Sequence, residues 1–196
     1  MGKRPSLRDE RRSSLLAAAQ KVFSEKGYHA ATVDDITRAA GVAKGTFYLY
    51  FQEKREIYCE VIRGFLHMLK DIGRVGETRD FLGDLERAGH QLMRVFLENR
   101  ELVRLAYRES MGLDRELEAM VRTFYREAAE VQARNIRLGI DLGLFRPVEP
   151  LLVAYAHIGM IERVLLALLE DEAGLPQPDQ IVRQMVALAF EGLLKN

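Results

Sequence analysis

The chain has no tryptophan, a single cysteine and only five prolines among its 196 residues. One cysteine excludes a disulfide scaffold and the cysteine-rich zinc and iron–sulfur sites, and it fits a reducing compartment. The prolines (Pro5, Pro147, Pro150, Pro176 and Pro178) stand at the edges of long stretches and leave their interiors free for helix. Net charge is missing too, because 29 Lys and Arg balance 29 Asp and Glu. With 48% hydrophobic and 30% charged residues the composition is globular, which excludes the disordered and fibrous classes. Taken whole, zero charge argues against a polyanionic partner.

Resolved along the chain, the charge is not neutral. Residues 1–55 hold 11 Lys and Arg against 6 Asp and Glu, a net of +5. Residues 56–196 hold 18 against 23, a net of −5. Such a division points to one module that meets a polyanion and another that does not.

Several motifs are absent. Residues 1–14 are basic but have no apolar core, so they are not a secretory signal. Met1, Gly2 and Ser6 fit the permissive N-myristoylation pattern, with nothing downstream to supply a second anchor. The longest apolar stretch, Leu151 to Leu169, is interrupted by His157, Glu162 and Arg163, which argues against a membrane span. Gly139 and Gly143 spell GxxxG, but Asp141 lies between them and no apolar 20-mer surrounds them. The expectation is a soluble, cytoplasmic protein with no membrane partner. There is no GxSxG, P-loop, HExxH or dinucleotide fingerprint, so no catalytic residue is singled out and an enzyme is not expected. No His pair at i, i+4 and no His/Cys/carboxylate cluster marks a metal site, and no cofactor is implied. Cys59 reads as a small apolar helix residue.

What is present is helical spacing throughout, without alternating strands, so the fold class is all-α. Ser6 to Asp9 resembles a capping box, and Leu15, Leu16, Ala19, Val22 and Phe23 then share one helix face that ends near Gly27. Thr32-Val-Asp-Asp35 repeats the signature: the Thr32 hydroxyl can accept from the Asp35 backbone, and both carboxylates suit a helix N-terminus. Val33 and Ile36 face inward over about two turns, and Gly41 closes the helix. The turn Gly41-Val-Ala43 leads into residues 44–51, where Phe47 and Phe51, four apart, point one way and Lys44, Thr46, Tyr48 and Tyr50 are free to point elsewhere. Ala39 and Ala40 are small enough for a close helix crossing. Helix, short glycine turn, helix is the helix-turn-helix arrangement, here over about residues 33–51.

The run from Ala31 to Phe51, followed by Lys54, closely resembles the TetR family of bacterial transcriptional regulators. The match covers residues 8 to about 60, with Ala18, Phe23, Gly27 and Tyr28 resembling the family's first helix, and Ile140 to Arg146 resembling a helix ending common in the family. Ala43 departs from the usual small polar residue and removes a cap. The resemblance implies a DNA-binding domain at 1–55 and a helical effector-binding and dimerisation domain at 56–196. Lys44 is then placed at a guanine edge or a phosphate, Gly45 lets the backbone approach the groove floor, and Thr46 offers a hydroxyl and a methyl to a base. Tyr48, Tyr50 and Lys54 become phosphate contacts, Thr32 stands at a helix N-terminus that can bind one, and Lys3, Arg4, Arg8, Arg11 and Arg12 add backbone or minor-groove contacts.

Helices are expected from Lys54 through Leu69 and near 77–98, 101–111, 115–143, 150–170 and 179–194. The last carries two apolar stripes, Ile181, Met185 and Leu188 on one and Val182, Val186, Ala189 and Leu193 on the other. By resemblance, the last two long helices form the homodimer and set two recognition helices on a palindromic double-stranded operator. The resemblance also implies a small-molecule, largely apolar effector, with Phe65, Met68, Met93, Phe96, Tyr107, Met111, Phe124 and Tyr125 as candidate liners. His67, His90, Tyr107 and Asn135 are candidate polar orienters. The implied function is a sequence-specific regulator, a repressor released by its effector. The rivals are an architectural or constitutive DNA binder and an enzyme with an appended DNA module.

Overall fold

The computed structural model describes residues 6–76, 79–110, 115–170, 174–191 and 193–194. Among them the regular elements are nine helices: α1 (Leu7–Lys26), α2 (Val33–Ala39), α3 (Lys44–Tyr48), α4 (Lys54–Ile72), α5 (Phe81–Glu98), α6 (Arg100–Ser110), α7 (Arg115–Asp141), α8 (Pro150–Leu169) and α9 (Pro178–Glu191). The starts have visible causes. Ser6 and Asp9 exchange hydrogen bonds as a capping box, Asp80 accepts from the Gly83 amide, and Pro150 supplies the fixed φ of a first helical position. α3 stops at Tyr48, short of the expected Phe51. Leu49 N–H bonds back only three residues, to Thr46, and this tighter turn delivers Phe51 to the core at 1% exposure.

The chain divides into two compact units. One takes in the chain up to Phe65 together with Asn99–Glu118, and the other Leu66–Glu98 with Ala119–Asn196. The first extends past residue 55 because the early turns of α4 complete its core. Ile57 and Ile62 are fully buried, Tyr58 meets Phe23 of α1 edge-on at 5.4 Å, and Arg12 pairs with Glu60 at 2.5 Å. α6 closes the same unit through Leu102, fully buried, and the Gln20–Asn99 hydrogen bond.

In the second unit α7 ends in a cap that also builds the core. Gly143 takes a positive φ of 72°, and the Leu144 and Phe145 amides both return to the Gly139 carbonyl. The Phe145 ring then lies where Gly139 would carry a side chain, and stacks on Phe190 of α9 at 5.4 Å. The GxxxG pair therefore serves a helix end. Asn135, 1% exposed, holds the chain after α4 by donating to the Gly73 carbonyl and accepting from the Val75 amide. α8 has a mean hydropathy of 1.7 over 18 residues, long and apolar enough by composition to cross a membrane, yet Leu151, Leu152, Tyr155 and Ile161 are exposed on it.

Candidate nucleic-acid interface

The site begins with the cap of α2. The Thr32 hydroxyl accepts from the Asp35 amide at 3.1 Å while the Asp35 carboxylate accepts from the Thr32 amide at 3.1 Å. Lys26, the last residue of α1, donates to the same carboxylate at 2.8 Å. These hydrogen bonds, Lys26 first and Thr32 next, hold the Asp35 carboxyl well below the usual range, at about 2. Ile36 and Thr37 point inward and are buried. Of the alanine pair expected at the helix crossing, Ala39 is exposed and Ala40 half-buried. Gly41 adopts φ 66°, a left-handed conformation open to glycine, and the Val42 amide reaches back to the Thr37 carbonyl.

α3 is held from inside by Phe47, fully buried against Phe51. Its outer stripe is Lys44, Gly45, Tyr48 and, beyond the helix, Leu49, all exposed, while Thr46 and Tyr50 are half-buried. Tyr48 is 53% exposed, which removes it from the core. A Cβ built on Gly45 meets nothing within 4 Å, so no internal packing requires a glycine there. The Lys44 ammonium lies 3.1 Å from the Asp34 carboxylate, a hydrogen bond that raises its pKa.

Lys54 is placed differently from a free phosphate clamp. Its Nζ donates to the carbonyls of Tyr28 at 2.7 Å and Ala31 at 2.8 Å and lies 4.4 Å from the Tyr28 ring centroid. Partial burial pushes its pKa down. Arg12 is turned inward as well, on Glu60 and over the Phe51 ring at 5.4 Å, so its guanidinium is engaged inside the unit and not extended as part of a basic arm. Arg8 and Arg11 are exposed, and Lys3 and Arg4 lie outside the described residues. The contributions of Lys26 and Glu60 have no local signal in the sequence, since their partners are 9 and 48 residues away.

Residues 15–61 match the family model of bacterial regulatory proteins of the tetR family, and residues 83–193 match the tetracyclin repressor-like C-terminal domain. The chain belongs to the TetR family. Among relatives, the transcriptional repressor KstR2 of Mycobacterium tuberculosis is 29% identical over 147 residues, 71% of each chain. A TetR-family regulator from Mesorhizobium loti has the same fold at 17% identity, with a TM-score of 0.79 over 97% of this chain and 100% of the other. SmeT, the repressor of the multidrug efflux pump SmeDEF of Stenotrophomonas maltophilia, has been captured with triclosan. That complex aligns with a TM-score of 0.70 at 22% identity, over 95% of this chain and 93% of the other. This TetR-family chain is accordingly a helix-turn-helix transcriptional regulator with a helical C-terminal domain.

The residues expected around an effector are distributed over both units of the TetR-family fold. Phe65 and Tyr107 belong to the first, and Met68, Met93, Phe96, Phe124 and Tyr125 to the second. Met111 lies outside the described residues. Met93 and Phe96 are buried and Met68 is exposed. Phe124 and Tyr125 meet ring to ring at 5.5 Å, and the Tyr125 hydroxyl donates to Glu162 at 2.8 Å, joining α7 to α8. A cleft of about 360 Å³ in the first unit has a different, polar lining that includes Gln52, Arg55, Glu56, Arg63 and Glu116. Of the candidate orienters, Asn135 is spent on the turn after α4, His67 is exposed beside Asp71, and His90 lies within 4 Å of Glu86 and Asp179. Among the described residues no group of three or more His, Cys, Asp or Glu is arranged to hold a metal ion.

Proposed function

We propose that this protein is a homodimeric repressor that grips a palindromic operator through α2 and α3 and releases it when a largely apolar small molecule occupies its C-terminal domain. The observation that carries the DNA reading is the outer stripe of α3, with exposed Lys44, Gly45 and Tyr48 backed by the buried anchors Phe47 and Phe51. A glycine with open space around it leaves the backbone free to approach a groove floor. Thr46 and Lys44 are assigned to base edges, Tyr48, Tyr50 and the N-terminus of α2 at Thr32 to phosphates. Lys44 leaves Asp34 when it does so, and the phosphates or guanine replace that carboxylate. The division of labour falls near residue 55, where the chain changes from net +5 to net −5.

The dimer assignment is supported by apolar surface on α8 and α9, where Leu152 and Leu188 are each 69% exposed. A second copy covers these faces isologously, and a two-fold axis matches a palindrome. The repressor role follows KstR2 and SmeT, and the effector reading follows the triclosan complex of SmeT. Effector and operator then oppose each other by linkage, each weakening the other by the same factor. The test is selection of bound DNA from a random library, followed by effector titration on the selected site. A palindromic consensus and a compound that lowers operator affinity are expected. Binding without sequence preference at stated salt makes the protein an architectural binder, and an operator that no compound weakens makes it a constitutive one.

A further inference from the structure

We propose that Lys54 is a positioning residue, a latch by which the first turn of α4 holds the start of α2. The inference rests on the DNA-binding reading of α2 and α3. Lys54 opens α4, and two of its three ammonium donors are already spent, on the Tyr28 carbonyl at 2.7 Å and the Ala31 carbonyl at 2.8 Å. The Tyr28 ring, 4.4 Å from Nζ, takes up the remaining side of the charge. Ala31 is 1% exposed and immediately precedes Thr32, the N-cap of α2.

A second contact one helical turn further along fixes the same loop. Tyr58, four residues after Lys54, lies 4.5 Å from the Tyr28 ring and edge-on to Phe23 of α1 at 5.4 Å. From the other side Lys26 holds Asp35. The residues between α1 and α2 are thus clamped between Lys54 and Tyr58 of α4 and the end of α1. A shift or rotation of α4 carries the two carbonyls with it, then the Thr32 cap, and then α3 across the Gly41 turn. Lys54 acts on DNA through the position of α2, and the first turns of α4 gain a defined mechanical grip on the helix-turn-helix.

The test uses the full chain with Lys54→Met, which keeps the aliphatic stem and removes the ammonium. Without DNA, the amides of Ala31, Thr32 and Asp35 exchange about tenfold faster or more, the scale of losing two charge-assisted hydrogen bonds, while those of α7 are unchanged. On the selected operator, affinity falls at least about tenfold, yet the slope of log K against log salt stays at the wild-type value. A slope reduced by about 0.9 per protomer, about 1.8 for the proposed dimer on its palindrome, with unchanged exchange is the signature of a direct phosphate contact and overturns the proposal. Should the variant fail to fold, the wild-type protein labelled at lysine ¹⁵Nζ decides the matter. A latch gives slowly exchanging Lys54 ammonium protons before any DNA is added, whereas protons that become protected only on the operator overturn it. If the wild-type protein selects no DNA, the DNA reading falls, while the exchange measurements still judge the latch.

Discussion

Gly45 is the residue whose cost has no internal return. A glycine inside a helix is less favourable than alanine by about 1 kcal/mol, and here neither a positive φ nor a close neighbour requires it. Gly45→Ala is therefore expected to leave the fold intact and to raise stability by up to about 1 kcal/mol, read by urea unfolding. Operator affinity is expected to fall in the same variant, because the added methyl meets the DNA. Unchanged affinity would remove Gly45 from the interface. His157 gives the opposite kind of residue, engaged entirely inside. It is buried on α8, its Nδ1 lies 3.4 Å from the Gln132 amide nitrogen, and it meets Phe190 edge-on at 6.0 Å. Burial pushes its pKa below the ordinary 6.5, against a smaller raising effect from a backbone hydrogen bond with Ala189. The unfolded chain then takes up a proton near pH 6.5 that the folded chain accepts only at lower pH. The contribution is fully present above about 6.5 and is lost as pH falls from there through the folded value. Urea midpoints of the wild type should drop between pH 8 and pH 5.5 by more than those of His157→Gln, and equal drops would assign the loss to other groups.

At the scale of elements, most helix boundaries are legible because their punctuation is local. Thr32 with Asp35, Gly41, Pro150 and Gly143 each act within four residues of themselves, so the expected spans agree with the helices to within a few residues. The helix-turn-helix was readable for the same reason, since Phe47 and Phe51 declare its inner face. Partners at long range were not. Nothing local tells that Arg12 turns in to Glu60, that Asn135 holds Gly73, or that the Lys54 ammonium meets two carbonyls. A lysine or arginine looks identical in sequence whether it faces phosphate or its own backbone. The end of α7 shows a short-range case that composition hides. Gly139 looks like half of an interface motif, but a Cβ there would collide with the Phe145 ring, which is fixed by stacking on Phe190. Gly139→Ala adds helix propensity and yet is expected to destabilise, by about 1–3 kcal/mol, since the ring has to leave a filled core. A urea midpoint equal to or above wild type would mean that Phe145 moves aside freely.

For the whole molecule, the zero net charge is the sum of a basic reader and an acidic body, and the dimer assignment determines how that division is used. In the proposed dimer, two basic modules on one palindrome would double the phosphate contacts and steepen the salt dependence, while the acidic halves would be repelled from the duplex. This arrangement depends on α8 and α9 being covered by a second copy, and Leu152 isolates that requirement. It is 69% exposed in the single chain, so Leu152→Glu disturbs no internal packing and should change the protomer's own stability by no more than about 0.5 kcal/mol. In the proposed dimer the same carboxylate would be buried on an apolar face without a partner, which is strongly unfavourable. Sedimentation should therefore show wild-type dimers and Leu152→Glu monomers at micromolar concentration. The monomer should still bind a half-site with a salt slope near half that of the wild type on the full palindrome. A variant that sediments as a dimer would place the interface away from α8 and leave its exposed leucines to a different occupant.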